Sequence, residues 1–451
     1  MLDLKIFKAN DIRGVYGVEW DARGAWALGV AYAGLILEDR VVVSRDMRTS
    51  GPQVQEAFVR GVTSQGVSVV DAGLASTDGL WFASGAWDMP GVQITSSHNP
   101  SSYNGMKFCV RGAKPVTREF LGELKRVARE IDAGQTPVRE AATPGTVVSR
   151  DLLDEYVTYL LSLVDVSDMR HLTVVVDAGN GMAGLTAPAV LSRLDVDLVG
   201  LFLDLDGSFP NHQPNPLEPQ NLVDAQRAVR EHRGDVGLVF DGDADRVFVI
   251  DEQGHVVNPS AVAGMIAVDE LARDPGGTVV VNTITSDAVA EIVAEHGGRV
   301  AHSKVGHTYM KALMASENAV FGGEHSAHYY FRDFFGADTG MLAGLHVLSM
   351  IGHTDQPLSQ LARSFTRYVS SGEINSTVAD QQATMDKVAA ALGVDADVSW
   401  EDGVKITGNG WWVSLRPSNT EPLLRLNVEA KDASTMEHLR DDVLALVKEE
   451  K

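Results

Sequence analysis

The chain has 451 residues and a formal net charge of −23, with 44% hydrophobic and 22% charged residues. That length exceeds what one hydrophobic core can organise and predicts three or four domains of ordinary globular composition. The acidic balance argues against a nucleic-acid partner, since a phosphate backbone demands clustered Lys and Arg; no apolar run is long enough for a membrane span, and the first residues lack a signal-peptide pattern. The one cysteine, Cys109, has no partner for an internal disulfide, as expected of a cytoplasmic protein.

Residues 40–72 run apolar, then helical over 53–61, then apolar over 67–71, which predicts a βαβ unit. After a strand at 91–94 comes Thr95-Ser96-Ser97-His98-Asn99-Pro100-Ser101-Ser102-Tyr103-Asn104-Gly105-Met106-Lys107, a turn crowded with hydroxyls. A Ser exposed there can serve as a nucleophile, and Lys107 can neutralise developing charge or move a proton. The same residues also make an ordinary turn closed by side chain to backbone hydrogen bonds. A polar Gly/Pro/Thr stretch at 135–145 predicts a boundary, and a second α/β unit opens with the strand Leu172–Asp177, the turn Ala178-Gly179-Asn180-Gly181 and a helix from Ala183. The Asn- and Pro-rich loop at 210–219 reads as rigid and irregular.

In Val239-Phe240-Asp241-Gly242-Asp243-Ala244-Asp245-Arg246, carboxylates occupy every second position of a tight turn. Two carboxylates about 4 Å apart repel by roughly 4 kcal/mol at an effective dielectric near 20. A divalent cation removes that cost, and an all-oxygen donor set suits magnesium, manganese or calcium. An EF-hand loop is excluded because Arg246 stands where the loop needs Gly, and because 237–240 and 247–250 read as strands. A neighbouring Arg fits a magnesium site that serves a phosphorylated substrate. A third α/β unit joins the strand Thr278–Asn282 to a helix over 286–296 and a strand at 299–302. The turn Gly322-Gly323-Glu324-His325-Ser326-Ala327-His328 carries groups suited to vicinal hydroxyls, and by itself it is also an ordinary polar turn. Boundaries are expected near 251–254 and 369–372. The remainder predicts a small antiparallel α+β domain whose loop Arg416-Pro417-Ser418-Asn419-Thr420 has donors that suit a phosphate dianion and by itself is also an ordinary hairpin loop.

Taken together and in chain order, the serine, metal, sugar and phosphate loops resemble the alpha-D-phosphohexomutase superfamily over essentially the whole chain, from Asn10-Asp11-Ile12-Arg13-Gly14 onward. Phe7 to Gly14, Asn104-Gly105-Met106-Lys107 and Gly323 to Asp333 are most similar to the bacterial phosphomannomutase branch. The resemblance implies an α/β fold of three similar mixed domains, at 1–146, 147–252 and 253–369, and a smaller C-terminal α+β domain at 370–451, around a central cleft. It implies that Ser97 carries the phosphoryl group and that Mg2+ is held by Asp241, Asp243, Asp245 and a phosphoserine oxygen. Arg13 and Arg246 would place phosphates, with Lys107 beside the reacting oxygen and His307 a proton-transfer partner. Glu324, Ser326 and His328 would hold sugar hydroxyls. Lys304 would line the same region, and Arg416, Ser418, Asn419 and Thr420 would grip the non-reacting phosphate.

The implied activity interconverts mannose 1-phosphate and mannose 6-phosphate in carbohydrate metabolism, towards GDP-mannose, with hexose 1,6-bisphosphate as activator, in a cytoplasmic monomer or homodimer. Phosphoglucomutase or a dual activity is the nearest rival, because the two sugars differ only at C2. A metal-dependent sugar phosphatase using an Asp in Asp241-Gly242-Asp243 is a second, and a non-catalytic sugar-phosphate binder a third. Departures from the pattern are Asn10, Asn282, His325 and Ala327, all at positions that touch sugar preference. Ser97 is preferred over Ser96 because it directly precedes His98-Asn99-Pro100.

Overall fold

The computed structural model describes residues 1–417 and 423–448. These fall into two compact units, Met1–Val257 with Ser326–Ser359, and Asn258–His325 with Gln360–Lys451. No helix among the described residues is long and apolar enough to cross a membrane.

In the first unit, Val41, Val42 and Val43 are fully buried in the strand Arg40–Arg45, which pairs in parallel with Ser68–Leu74. The helix between them, Gly51–Ser64, buries Val54, Ala57, Phe58, Gly61 and Val62, the spacing of one helical face. The predicted βαβ unit is therefore present, with a helix longer at both ends than its polar ends suggested. Gly91–Ile94 joins Arg40–Arg45 in parallel and Tyr103–Val110 lies antiparallel beside it, so the sheet is mixed. Tyr103–Val110 also pairs with Ile12–Val15. Cys109, on that strand, is buried. A second sheet runs in the order Val247–Asp251, Val236–Phe240, Leu172–Asp177, Val196–Leu201, antiparallel only at the first pair. Helices Ala183–Leu191 and Val223–His232 accompany it.

In the second unit, Thr278–Asn282 lies between Arg299–Ser303 and Phe321–Gly323, all parallel, with helix Asp287–Glu295 as the crossover. The C-terminal sheet is antiparallel throughout, in the order Val369–Ser370, Leu423–Ala430, Trp411–Pro417, Val404–Gly408, Asp397–Ser399. Val404, Ile406, Val413, Leu415, Leu424, Leu426 and Val428 alternate along its strands to form one buried face, against which Val388 and Val443 of two helices pack. Three mixed α/β domains and a C-terminal α+β domain thus follow one another, as the periodicities indicated.

Glu429 of the C-terminal sheet caps a helix of the preceding domain. Its Oε1 accepts from Ser286 Oγ at 2.9 Å and from the Asp287 N–H at 3.1 Å. Burial, with Asp287 adding repulsion, pushes the Glu429 carboxyl up to about 7 from an ordinary 4.5. Between those values the folded chain keeps a proton that the unfolded chain has released, so stability falls as pH rises through this window and levels off above it. Glu429→Gln keeps an acceptor and has nothing to titrate. Relative to the parent, its unfolding free energy should rise by about 2 kcal/mol from about pH 5 to about pH 8, read by denaturant titration. A difference independent of pH would refute that assignment.

Candidate active site

The acidic turn connects two wholly buried strands, with Phe240 directly opposite Val247, so residues 241–246 must close tightly. Only glycine fits at 242, where a Cβ would stand 2.5 Å from the Ser97 carbonyl oxygen. The strand-loop-strand geometry agrees with the exclusion of an EF-hand. Asp241, Asp243 and Asp245 are buried, and one carboxylate oxygen of each lies within 4.8 Å of the others.

Ser97 sits between the strands Gly91–Ile94 and Tyr103–Val110. Its Oγ donates to Asp241 Oδ2 at 2.9 Å and lies 3.3 Å from His98 Nδ1. Ser96 Oγ turns away to Asn99 Oδ1 at 3.3 Å. Two details differ from the sequence reading. Ser97 is not an exposed turn hydroxyl: it is 3% exposed and takes a left-handed φ of 49°. Lys107 does not lie in the turn either, but within Tyr103–Val110 opposite Gln93. Pairing on both sides of that strand overrides the turn preference of Asn104-Gly105.

From there Lys107 Nζ reaches Asp243 Oδ2 at 2.7 Å and Asp245 Oδ2 at 2.5 Å. Burial alone would lower the ammonium pKa, but the two carboxylates outweigh it and hold the group charged. Burial likewise pushes Asp243 up, and Lys107 with Thr77 pulls it well below the usual carboxylate range. Asp241 is raised, because burial and the neighbouring Asp245 and Asp243 together outweigh Arg246. Arg246 donates to Asp241 Oδ2 through Nε at 3.0 Å and Nη2 at 2.9 Å, and its Nη2 lies 2.6 Å from His98 Nδ1. A guanidinium only donates, so His98 Nδ1 accepts. Burial, then the charges of Arg246 and Arg13, hold this imidazole neutral, well below its usual pKa. Arg13 donates to Asp11 Oδ2 at 2.8 Å and to Asn99 Oδ1 at 3.1 Å.

Thr77, absent from the sequence reading, binds Asp243 twice: Oγ1 to Oδ2 at 2.5 Å and N–H to the carbonyl oxygen at 2.9 Å. It opens the helix Thr77–Ala86, and Ser76-Thr77-Asp78 was the legible signal, a cluster of N-terminal capping residues. His328 pairs with Arg246 as an isolated antiparallel bridge, accompanies Ser326 Oγ at 3.0 Å from its Nδ1, and brings Nε2 within 3.9 Å of Asp245 Oδ1. The first unit therefore gathers Ser97, Lys107, Arg13, Arg246, His328 and the three aspartates.

A hard divalent cation fits this cluster. Asp243 Oδ1 and Asp245 Oδ1 are buried, and no hydrogen-bond donor among the described residues reaches either. Free carboxylate oxygens beside other carboxylates are costly without a cation and are the ligands such an ion prefers.

In the second unit, Glu324 is buried and its Oε2 accepts from Asn282 Nδ2 at 2.8 Å and from the Gly306 N–H at 3.4 Å. Lys304 is exposed, and the half-buried His307 begins the helix His307–Glu317. Arg416 belongs to the strand Trp411–Pro417 rather than to a loop, with Asp402 at 3.8 Å and Glu373 at 3.6 Å. Ser418, Asn419 and Thr420 lie outside the described residues.

Comparison with known proteins matches four successive domains of one family: phosphoglucomutase/phosphomannomutase alpha/beta/alpha domain I over residues 4–135, domain II over 154–254, domain III over 258–368 and the C-terminal domain over 373–446. A phosphomannomutase of Salmonella montevideo is 36% identical across 99% of this chain and 100% of its own length. A protein of Xanthomonas campestris pv. campestris described as phosphohexose mutases is 37% identical across 99% and 100%. The crystal structure of a phosphoglucomutase/phosphomannomutase family protein from Burkholderia thailandensis superposes with a TM-score of 0.90 at 32% identity, covering 99% of this chain and 98% of the other. Matched domain by domain and along its full length, the chain belongs to the phosphoglucomutase/phosphomannomutase family and, within it, is similar to the bacterial phosphomannomutases.

Proposed function

We propose that this enzyme, a phosphohexose mutase by family, interconverts mannose 1-phosphate and mannose 6-phosphate with Ser97 as the phosphoryl carrier. The observation that carries the reading is a single buried hydroxyl, Ser97 Oγ, 2.9 Å from a carboxylate that Arg246 also holds, beside two further carboxylates held by Lys107. Phosphoryl transfer asks little of a protein beyond alignment and neutralisation of the equatorial oxygens.

In the cycle, the bond between phosphorus and Ser97 Oγ breaks as a bond to the sugar O6 forms, and the O6 proton ends on Ser97 Oγ. The product is mannose 1,6-bisphosphate. After it reorients, the phosphoryl group on O1 returns to Ser97 Oγ, the serine proton passes to O1, and mannose 6-phosphate leaves. Arg13 and Arg246 hold phosphoryl oxygens, and Lys107 remains a cation beside the reacting atom. Asp241, Asp243 and Asp245 would hold Mg2+, which would add positive charge against the phosphoryl oxygens. Proton transfer is assigned to His307. Glu324, Ser326 and His328, with Lys304, are assigned to sugar hydroxyls, and Arg416 with Ser418, Asn419 and Thr420 to the other phosphate.

Mannose and glucose 1-phosphates differ at one hydroxyl, so both should turn over. With magnesium and a catalytic amount of hexose bisphosphate, kcat/KM for the two should agree within about tenfold, mannose leading. A preference for glucose 1-phosphate beyond that would make phosphoglucomutase the better reading, and release of free phosphate at the isomerisation rate would point to a phosphatase.

A further inference from the structure

Beside the carboxylate cluster, one buried cation spends four of its hydrogen bonds on the backbone of the serine loop. Arg48 has no exposed surface. Its Nη2 donates to the carbonyl oxygens of Ser97 and Asn99, both at 2.7 Å, and its Nη1 to those of Pro100 at 2.8 Å and Tyr103 at 2.9 Å. Nε takes Asp46 Oδ2 at 3.2 Å. Asp46 Oδ2 also accepts from Thr95 Oγ1 at 2.7 Å, and Thr95 Oγ1 accepts the Ser97 N–H at 2.9 Å. Both backbone polar groups of Ser97 are thus fixed by one network.

Ser97 needs such a restraint. A non-glycine residue in the left-handed region costs about 1–3 kcal/mol and persists only where its surroundings over-determine it. Four carbonyl dipoles turned towards one point also repel one another unless a cation sits there. The guanidinium supplies that charge with a planar array of donors that an ammonium cannot reproduce.

The network is sealed by residues just before the Asn- and Pro-rich loop at 210–219. The Phe209 ring lies 5.2 Å from Arg48 Cζ, itself 6% exposed, and Gly207 passes so close that a Cβ there would stand 2.5 Å from Arg48 Cα. Water excluded by that ring strengthens each hydrogen bond beneath it.

We infer that Arg48, covered by Phe209, is a positioning residue for phosphoryl transfer that holds Ser97 in the backbone geometry aiming its hydroxyl at Asp241. The inference rests on Ser97 being the phosphoryl carrier. Arg48 touches only backbone of the serine loop and none of the side chains assigned to sugar or phosphate, so its loss moves the reacting oxygen and leaves substrate affinity alone.

The test uses full-length Arg48→Lys and Phe209→Leu with magnesium, mannose 1-phosphate and hexose bisphosphate, alongside circular dichroism and phosphopeptide mass spectrometry. Because a misplacement of about 1 Å costs about a hundredfold, kcat should fall about 30- to 100-fold in Arg48→Lys and about 5- to 10-fold in Phe209→Leu, with KM within about twofold. A folded Arg48→Lys with kcat within about threefold of the parent, or with KM rising as much as kcat falls, would overturn the inference. If Arg48→Lys does not fold, Phe209→Leu decides: lowered kcat at constant KM supports the clamp, and unchanged kcat overturns it. Parent protein that turns over without ever carrying phosphate on Ser97 overturns the carrier assignment and this inference together, whereas variants that keep the parent kcat while the parent carries phosphate on Ser97 overturn this inference alone.

Discussion

Ser97→Ala should lose about four orders of magnitude in kcat, because no oxygen remains to accept the phosphoryl group and neighbouring donors cannot substitute for a missing nucleophile. The fold should survive. The substitution removes one hydrogen bond to Asp241 Oδ2, which keeps two from Arg246, so the cost in stability is about 1 kcal/mol even though the hydroxyl is buried. Steady-state kinetics beside a thermal melt checks both halves. Ser96 is a poor substitute, since its Oγ is directed at Asn99. A Ser97→Ala protein with undiminished turnover would move the carrier to Ser96 or to an aspartyl phosphate.

Chelation should lower turnover by about a thousandfold, with magnesium restoring it, and should also destabilise the protein. Three buried carboxylates face two adjacent cations, Lys107 and Arg246, while Arg13 is paired with Asp11. Two carboxylate oxygens that no donor among the described residues reaches, Asp243 Oδ1 and Asp245 Oδ1, remain at the place a phosphodianion is to approach. A divalent ion held by the three aspartates would add positive charge there. At about a hundred times its dissociation constant it should stabilise the folded chain by about 2.7 kcal/mol, visible as a higher melting temperature. Equal activity and equal melting in chelator and in magnesium would remove the metal from the mechanism.

Much of this was legible before any coordinates. Alternating carboxylates between two apolar runs read as a turn, and the short β-branched runs at 41–43, 174–176 and 279–281 read as strands, which the structure buries on both faces. What sequence could not show depends on partners distant along the chain. Asp243 is held by Thr77, 166 positions away, and by Lys107, 136 away. Tyr103–Val110 looked like the tail of a turn because Asn104-Gly105 favours one, and only its two neighbouring strands make it the platform for Lys107. Arg48 carried a faint signal, a charged Arg45-Asp46-Met47-Arg48 stretch directly after an apolar strand, but nothing local says that four carbonyl groups half a hundred residues later converge on it. Nor did anything in the sequence mark Phe209, just before the Asn- and Pro-rich stretch at 210–219, as the ring over that guanidinium.

Cys109, tucked against the Gly91 carbonyl and 1% exposed, has a practical consequence. With the sole native thiol shielded, a cysteine introduced at the surface can be labelled with maleimide fluorophores against almost no background. Pairs of such labels would let energy-transfer measurements follow this protein through turnover without first engineering away any natural residue.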